Sequence, residues 1–322
     1  MAQNFNGDSG PGKRLDAAGY FAPVDWVPYV MAELGGFGKR YGRLFLKEGP
    51  LVPCHWAQDL WFEPRVISFG DAAEAAAILK SLGRFWWGYT ESQRPLMTEI
   101  LAALPAPAPS RLDFPVRRLP AATGAFTLLD DHTLLASARC LSPFPGGIAE
   151  FRENRKDPPS SAYLKLWEAL TRMRKLPGPA SQCLDAGACP GGWTWVLDSL
   201  GAQVLALDRS PLDPRLMASP RVRYRSGNAF AIGPRQLADF GWERLDWLCS
   251  DLICYPDKLL AWVRQWLESG LVDNFVVTIK IQGKPDWASI AAFAAIPDSQ
   301  VYHASHNKHE LTWIRPAPSA AG

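Results

Sequence analysis

No run of apolar residues in this chain approaches the ~20 needed to cross a bilayer, so no membrane span is expected. Residues 1–14 are polar and glycine-rich and lack the apolar core of a signal peptide, so they read as a disordered tail. The six cysteines, Cys54, Cys140, Cys183, Cys189, Cys249 and Cys254, include no C-x-x-C pair. That spacing argues against a zinc site, and no metal is expected; scattered thiols suit a reducing cytoplasm. Charge of one sign is also missing. The net charge is only +2, and acidic and basic residues are balanced over 1–155. A nucleic-acid partner would have to be held by local patches and not by a global field. No internal repeat is visible. What remains is a 322-residue chain, 48% hydrophobic and 20% charged, long enough for two globular domains. Most of its 14 tryptophans should be core, with a minority free to stack on bases.

Residues 15–150 mix short strands and helices and read as a smaller α+β domain. Asp25–Leu34 predicts a helix stopped by Gly35-Gly36, and Asp71 caps a second over Ala72–Leu82, closed by Gly83. Leu104-Pro-Ala-Pro-Ala-Pro-Ser is a stiff linker, and Asp130-Asp131 suits a hairpin turn. Ser142-Pro-Phe-Pro-Gly-Gly and Asp157-Pro-Pro mark a second connection.

Over 151–322 the pattern becomes strand–helix alternation. A helix is expected over Ser161–Lys175. Strands are expected over Gln182–Asp185, Gln203–Asp208, Val222–Arg225, Leu245–Asp251 and Phe275–Lys280, mostly as apolar runs ending in a polar residue. The final strands, near Val301–Ala304 and Glu310–Arg315, are too close for a helical crossover and must form an antiparallel hairpin. The expected fold is therefore α/β. A mostly parallel seven-stranded Rossmann-like sheet ends in an antiparallel hairpin, the layout of class I methyltransferases.

Asp185-Ala-Gly-Ala-Cys-Pro-Gly-Gly-Trp193 follows a strand and opens a helix. Gly187 allows the tight turn, Gly191 and Gly192 let the backbone approach a ligand, and the helix beyond offers unpaired N–H groups. The spacing is not G-x-G-x-x-G and lacks the lysine of a phosphate loop. A ligand combining an adenosine with an amino-acid carboxylate suits it. Asp208, ending the next strand, can accept both ribose hydroxyls, or else cap the turn before Pro211. Asn228 could bond the adenine edge, or simply serve the turn after Gly227. Cys189 reads as a small loop residue and not a nucleophile.

Four charged residues should converge. Lys165 lies on the helix before the first strand, Asp251 and Lys280 end the fourth and fifth strands, and Glu310 begins the last. Ligands of open α/β sheets bind at the C-terminal edge of the parallel strands, and an antiparallel last strand starts at that edge. Taken singly, each could be just a solvated charge. Together they suit proton removal from a weak hydroxyl nucleophile. Lys280 is assigned as general base, with Lys165, Asp251 and Glu310 positioning and tuning it. A free lysine has a pKa of ~10.4. A second cation and partial burial should lower it, against part-opposition from the carboxylates.

These residues resemble a known family. Leu184-Asp-Ala-Gly-Ala-Cys-Pro-Gly-Gly-Trp-Thr-Trp, preceded by Ser160-Ser-Ala-Tyr-Leu-Lys, is similar to the FtsJ-like ribose 2′-O-methyltransferases, and Lys165, Asp251, Lys280 and Glu310 match that family's Lys-Asp-Lys-Glu tetrad. Within it the likeness is greatest to the RlmM-like branch, which acts on a cytidine ribose of large-subunit ribosomal RNA. The resemblance implies S-adenosylmethionine as cofactor. Its contacts would come from Ser160, Cys189, Pro190, Gly191, Gly192, Asp208, Asn228 and Asp251, beside the loop residues Asp185, Gly187 and Trp193. Asn228 stands where the family carries an acidic residue. The resemblance also implies RNA, most of all ribosomal RNA, as partner, with an RNA-binding THUMP-like region N-terminal to the catalytic domain. A cytoplasmic monomer is expected. Candidate phosphate contacts are Arg152, Arg155, Lys156, Arg215, Arg221, Arg223 and Arg225. Arg172, Arg174 and Lys175 read at least as well as complements to a helix dipole. Trp86, Trp87 and Tyr89 could stack on bases, although core packing suits them better.

Overall fold

The computed structural model describes residues 10–106 and 111–318. The chain divides into two compact units, the second starting at Phe151 and also taking in Asp113–Pro115. Of the tail expected over 1–14, residues 1–9 lie outside the described residues, as does most of the linker expected at 104–110. Residues 13 and 14 correct that expectation. Lys13–Arg14 form strand β1, paired antiparallel with β6 (Arg65–Ser68), and Arg14 meets Glu63 at 2.9 Å. An open sheet edge recruits whatever backbone is beside it, and side-chain polarity does not forbid this.

The first unit contains helices α1 (Val27–Leu34), α2 (Ala72–Leu82) and α3 (Arg94–Ala103). Its remaining strands are β2 (Ala17–Phe21), β3 (Lys39–Tyr41), β4 (Leu44–Glu48), β5 (Asp59–Phe62), β7 (Phe85–Tyr89), β8 (Thr123–Leu128), β9 (Thr133–Ser137) and β10 (Arg139–Cys140). They make two five-stranded sheets, β1-β6-β9-β8-β7 and β10-β5-β2-β4-β3. Asp71 caps α2 by accepting from the Glu74 amide at 2.8 Å. The turn at Asp130-Asp131 closes as expected, with the amides of Leu129 and Asp130 donating to the Thr133 carbonyl. One face of the first sheet packs Ile67, Trp86, Phe126 and Leu134 against Ala75 and Leu79 of α2 and Met97 and Ile100 of α3. Its other face meets Phe21, Leu44 and Trp61 of the second sheet. The two-residue period of β7 puts Trp86 on the first face and Trp87 and Tyr89 on the second, where both lie against Phe21. All three are packing residues.

The second unit is the expected α/β fold. Its helices are α4 (Tyr163–Met173), α5 (Gly192–Ser199), α6 (Pro214–Met217), α7 (Pro256–Ser269) and α8 (Trp287–Ala294). Its strands are β11 (Gln182–Ala186), β12 (Gln203–Asp208), β13 (Val222–Ser226), β14 (Leu245–Ser250), β15 (Val272–Lys280), β16 (Gln300–Tyr302) and β17 (Glu310–Arg315). The sheet runs β13-β12-β11-β14-β15-β17-β16. The first five strands are parallel, β17 is antiparallel to β15, and β16 is antiparallel to β17. The order reverses between β11 and β14, which opens a crevice at their C-terminal ends. Among the described residues, no helix is long and apolar enough to cross a membrane.

Candidate active site

The strand register brings the four predicted charges together. Parallel pairing of β14 with β15 sets Asp251, just past β14, beside the end of β15, and Lys280 is the direct cross-strand partner of Glu310. From α4, Lys165 reaches the same point. Its Nζ lies 2.7 Å from Glu310 Oε1 and 3.1 Å from Asp251 Oδ2. Lys280 Nζ lies 2.5 Å from Asp251 Oδ1 and 2.6 Å from Glu310 Oε2. Each ammonium bridges both carboxylates, so the four form a closed ring of alternating charge with no net charge. The side chains keep between 8% and 18% of their exposure, enough for a proton or a hydroxyl to reach them.

Burial alone would raise the carboxyls of Asp251 and Glu310. The two lysines and their hydrogen bonds outweigh it and hold both carboxyls below their ordinary range. For Lys280 burial acts to lower the pKa, but the charges of Asp251 and Glu310, with their hydrogen bonds, outweigh it and raise the ammonium above an ordinary lysine. This corrects the sequence expectation. A second cation sits beside Lys280, but two carboxylates in direct contact decide the sign. Thr278, which the sequence reading missed, donates to Asp251 Oδ1 at 2.6 Å. Its signal was present: two residues before Lys280 on β15, it shares the same face.

Beside the ring lies a groove of about 490 Å³, lined in part by Gly187, Cys189, Asp208, Asn228, Phe230 and Asp251. Gly187 has φ +82°, and a Cβ there would strike Leu252, so this turn demands glycine. Asp208 fills the capping role considered for it and also lines the groove. Its Oδ2 accepts from the Cys189 amide at 3.0 Å and its Oδ1 from the Ser210 amide at 2.9 Å, while it also faces the groove. Asn228 likewise caps a short turn through Phe230 and lines the groove.

Other expected contacts lie away from the groove lining. Ser160 packs behind the glycine loop, where a Cβ on Gly192 would sit 2.5 Å from its Oγ; that hydroxyl is buried and has no hydrogen-bond partner among the described residues. Pro190 and Gly191 belong to the same turn, whose N-terminal amides open α5. The Trp193 indole is buried and donates to the Ala162 carbonyl at 2.9 Å, tying α5 to the start of α4. Asp185 is buried beneath the loop and accepts from Thr194 Oγ1 at 2.6 Å. Desolvation raises its carboxyl to about 7, against the pull of that hydrogen bond. For Trp193 and Asp185 the side chains hold the loop, and neither faces the groove.

The basic candidates separate as well. Arg172 is buried against Glu168 at 2.9 Å and lies 4.3 Å from the Tyr302 ring centroid, so it belongs to the core. Arg221 is held by Asp198 at 2.9 Å, and Arg223 donates to the Phe240 carbonyl at 2.6 Å. Arg152, Arg155 and Arg215 are exposed and pair with Asp113, Glu153 and Asp213. Lys156, Arg174, Lys175 and Arg225 are exposed.

Residues 159–280 match the model of a family described as FtsJ-like methyltransferase. This stretch is an FtsJ-like methyltransferase domain. Longer likenesses agree. The protein named ribosomal RNA large subunit methyltransferase M of Alkalilimnicola ehrlichii is 33% identical over 204 residues, covering 58% of this chain and 54% of that protein. Its namesake from Halorhodospira halophila is 35% identical over 141 residues, covering 43% and 39%. The one from Azotobacter vinelandii is 27% identical over 305 residues, covering 86% and 81%. The matched stretch thus spans about half the length of the first of these relatives.

Proposed function

We propose that the chain is an S-adenosylmethionine-dependent methyltransferase acting on a ribose 2′-hydroxyl of RNA, most specifically of large-subunit ribosomal RNA in the cytoplasm. The observation that carries this reading is the closed ring of Lys165, Asp251, Lys280 and Glu310 next to the glycine-turn groove. The names of the relatives supply the substrate class.

The groove's own chemistry fits the cofactor. Asp208 keeps lone pairs for ribose hydroxyls, Asn228 keeps its amide N–H groups, and the buried Ser160 hydroxyl behind the loop lacks a partner among the described residues. Bound there, the cofactor would supply an electrophilic methyl group on a sulfonium. The chain's residues would do the rest. Asp251 faces both groove and ring and so links the two. Lys165 and Glu310 fix the position of Lys280. Lys280 Nζ, once it has released its own proton to solvent, would take the proton of the attacking 2′-hydroxyl as the oxygen–carbon bond forms and the carbon–sulfur bond breaks. Direct displacement of this kind needs alignment above all, which a four-point ring provides. The first unit is proposed as the RNA-binding, THUMP-like part, and the enzyme as a single-chain catalyst.

The test is transfer of labelled methyl from S-adenosylmethionine to large-subunit ribosomal RNA lacking modifications, mapped by nuclease digestion and mass spectrometry. A single 2′-O-methylated nucleotide is expected. Measurable cofactor binding with no label in ribosomal RNA would overturn the substrate assignment.

A further inference from the structure

Resting on that reading, we propose that Ile253 and Tyr255 form the platform on which the base of the target nucleotide lies while its ribose is presented to Lys280. Large apolar side chains are mostly buried here, yet Ile253 is 83% exposed and Tyr255 62% exposed, both within the five-residue link between β14 and α7. The link starts at Asp251, a member of the charged ring, and both residues line the groove beside it. Between and after them, Cys254 and Pro256 are buried, so the link turns about Cys254 and leaves Ile253 and Tyr255 exposed along the same groove.

The link is also pinned. The Asp251 amide donates to the Ala186 carbonyl at 3.2 Å, and the Tyr255 carbonyl accepts from the Leu259 amide at 3.1 Å in the first turn of α7. Tyr255 itself has extended backbone, φ −70° and ψ 144°, ahead of Pro256. A fixed backbone carrying two exposed apolar side chains is preorganised to receive a flat apolar surface at low entropic loss.

Charge points to the occupant. Lys258, one turn into α7, lines the same groove, with its Nζ 4.7 Å from the Phe230 ring centroid. Arg209 and Gln282 line it too. An aromatic face with an adjacent cation and an amide suits an unpaired nucleotide: base on the ring, phosphate near the cation. A buried protein helix or a lipid chain would call for a wider apolar surface than two side chains.

The experiment measures steady-state methyl transfer to unmodified large-subunit ribosomal RNA, together with calorimetric titration of S-adenosylmethionine, for wild type, Ile253→Ala, Tyr255→Ala and Tyr255→Phe. Tyr255→Ala should raise the KM for RNA roughly ten-fold, the scale of one lost base–aromatic stack. Ile253→Ala should raise it several-fold, and Tyr255→Phe should restore near wild-type values. Cofactor affinity should change far less than the KM for RNA, and the unfolding temperature should stay near wild type. An unchanged KM in Tyr255→Ala overturns the platform, and so does an equal loss of cofactor affinity, which would assign the pair to the cofactor. If wild type itself transfers no methyl to any RNA, the proposed function fails and the platform with it. Wild-type turnover with an unaltered variant sinks the platform alone.

Discussion

Lys280, the last residue of β15, stands directly opposite Glu310, the first residue of β17, and their side chains meet at 2.6 Å. The pairing is set by backbone hydrogen bonding, so the distance between base and carboxylate is fixed by sheet geometry and not by flexible side chains alone. Asp251 and Lys165 close the ring from the next strand and from α4. The assignment of Lys280 as proton acceptor therefore concerns a lysine whose ammonium form is favoured, and this shapes how the site should respond to mutation and pH.

Lys280→Ala should lower the rate of methyl transfer by at least 100-fold, the usual contribution of a positioned general base. Asp208 and Asn228 are untouched, so calorimetry should give a cofactor dissociation constant within about three-fold of wild type. Wild-type turnover by the variant would remove Lys280 from its role.

A favoured ammonium means that the base form of Lys280 grows only as pH rises toward and beyond the ordinary lysine value of ~10.4. Activity should climb steadily across the neutral and alkaline range. Glu310→Gln removes one of the two carboxylates that raise this pKa, so its pH–rate curve should be displaced to lower pH, even if its maximum is reduced. An undisplaced curve would mean that another group limits the rate.

Asp208→Ala should weaken cofactor binding by ten-fold or more. It removes the groove-facing carboxylate and also frees the amides of Cys189 and Ser210 that it now holds. Saturating cofactor should recover most of the rate, and an unchanged dissociation constant would contradict the assignment.

Asp185 has a folded-state carboxyl near 7, well above its ordinary value, because it is buried. The native state then binds a proton that the unfolded chain has lost between about pH 4 and 7, so this group subtracts stability as pH rises through that window. Asp185→Asn should remove the loss. Urea unfolding should find the variant more stable at pH 8, by on the order of 4 kcal/mol at most, and equal to wild type near pH 4. A variant less stable at pH 8 would show that the charge is needed.

Glu168 and Arg172 form a buried ion pair, and Glu168 Oε2 also accepts from the Ser305 amide at 2.8 Å. Glu168→Ala would strand the Arg172 cation and should destabilise the second unit by about 3–5 kcal/mol, read from the urea midpoint. Double replacement of the pair by apolar residues of similar volume should recover much of that loss.

The second unit was largely legible in the sequence because its strands are apolar runs and the charges of the candidate site stand at their ends. Position along the strand alone brought Asp251, Lys280 and Glu310 to one edge. Thr278 was harder to see, since a threonine inside a buried strand reads as β propensity. Arg172 and Glu168 were hidden for a different reason. A cation near a helix end fits the dipole equally well, and the groups that bury it, Tyr302 and Ser305, come from the distant hairpin. The sign of the Lys280 shift was out of reach because it turns on direct contacts of 2.5 and 2.6 Å with two carboxylates, which strand position alone does not give. The strand Lys13–Arg14 could not be read because pairing at an open edge is a property of the neighbour.

The ring takes Lys165 from the first helix of the second unit and Glu310 from its last strand, while the groove draws all its lining residues but Gln282 from segments that precede β15. A chain that has folded only as far as β15 would hold most of the groove and yet leave Lys280 without one of its two carboxylates. On the proposed function, assembly of the domain would separate capture of the methyl donor from competence to use it. The closed ring exists only when the first helix and the last strand of the domain have docked, so on that reading β17 would act as a built-in check that the fold is finished.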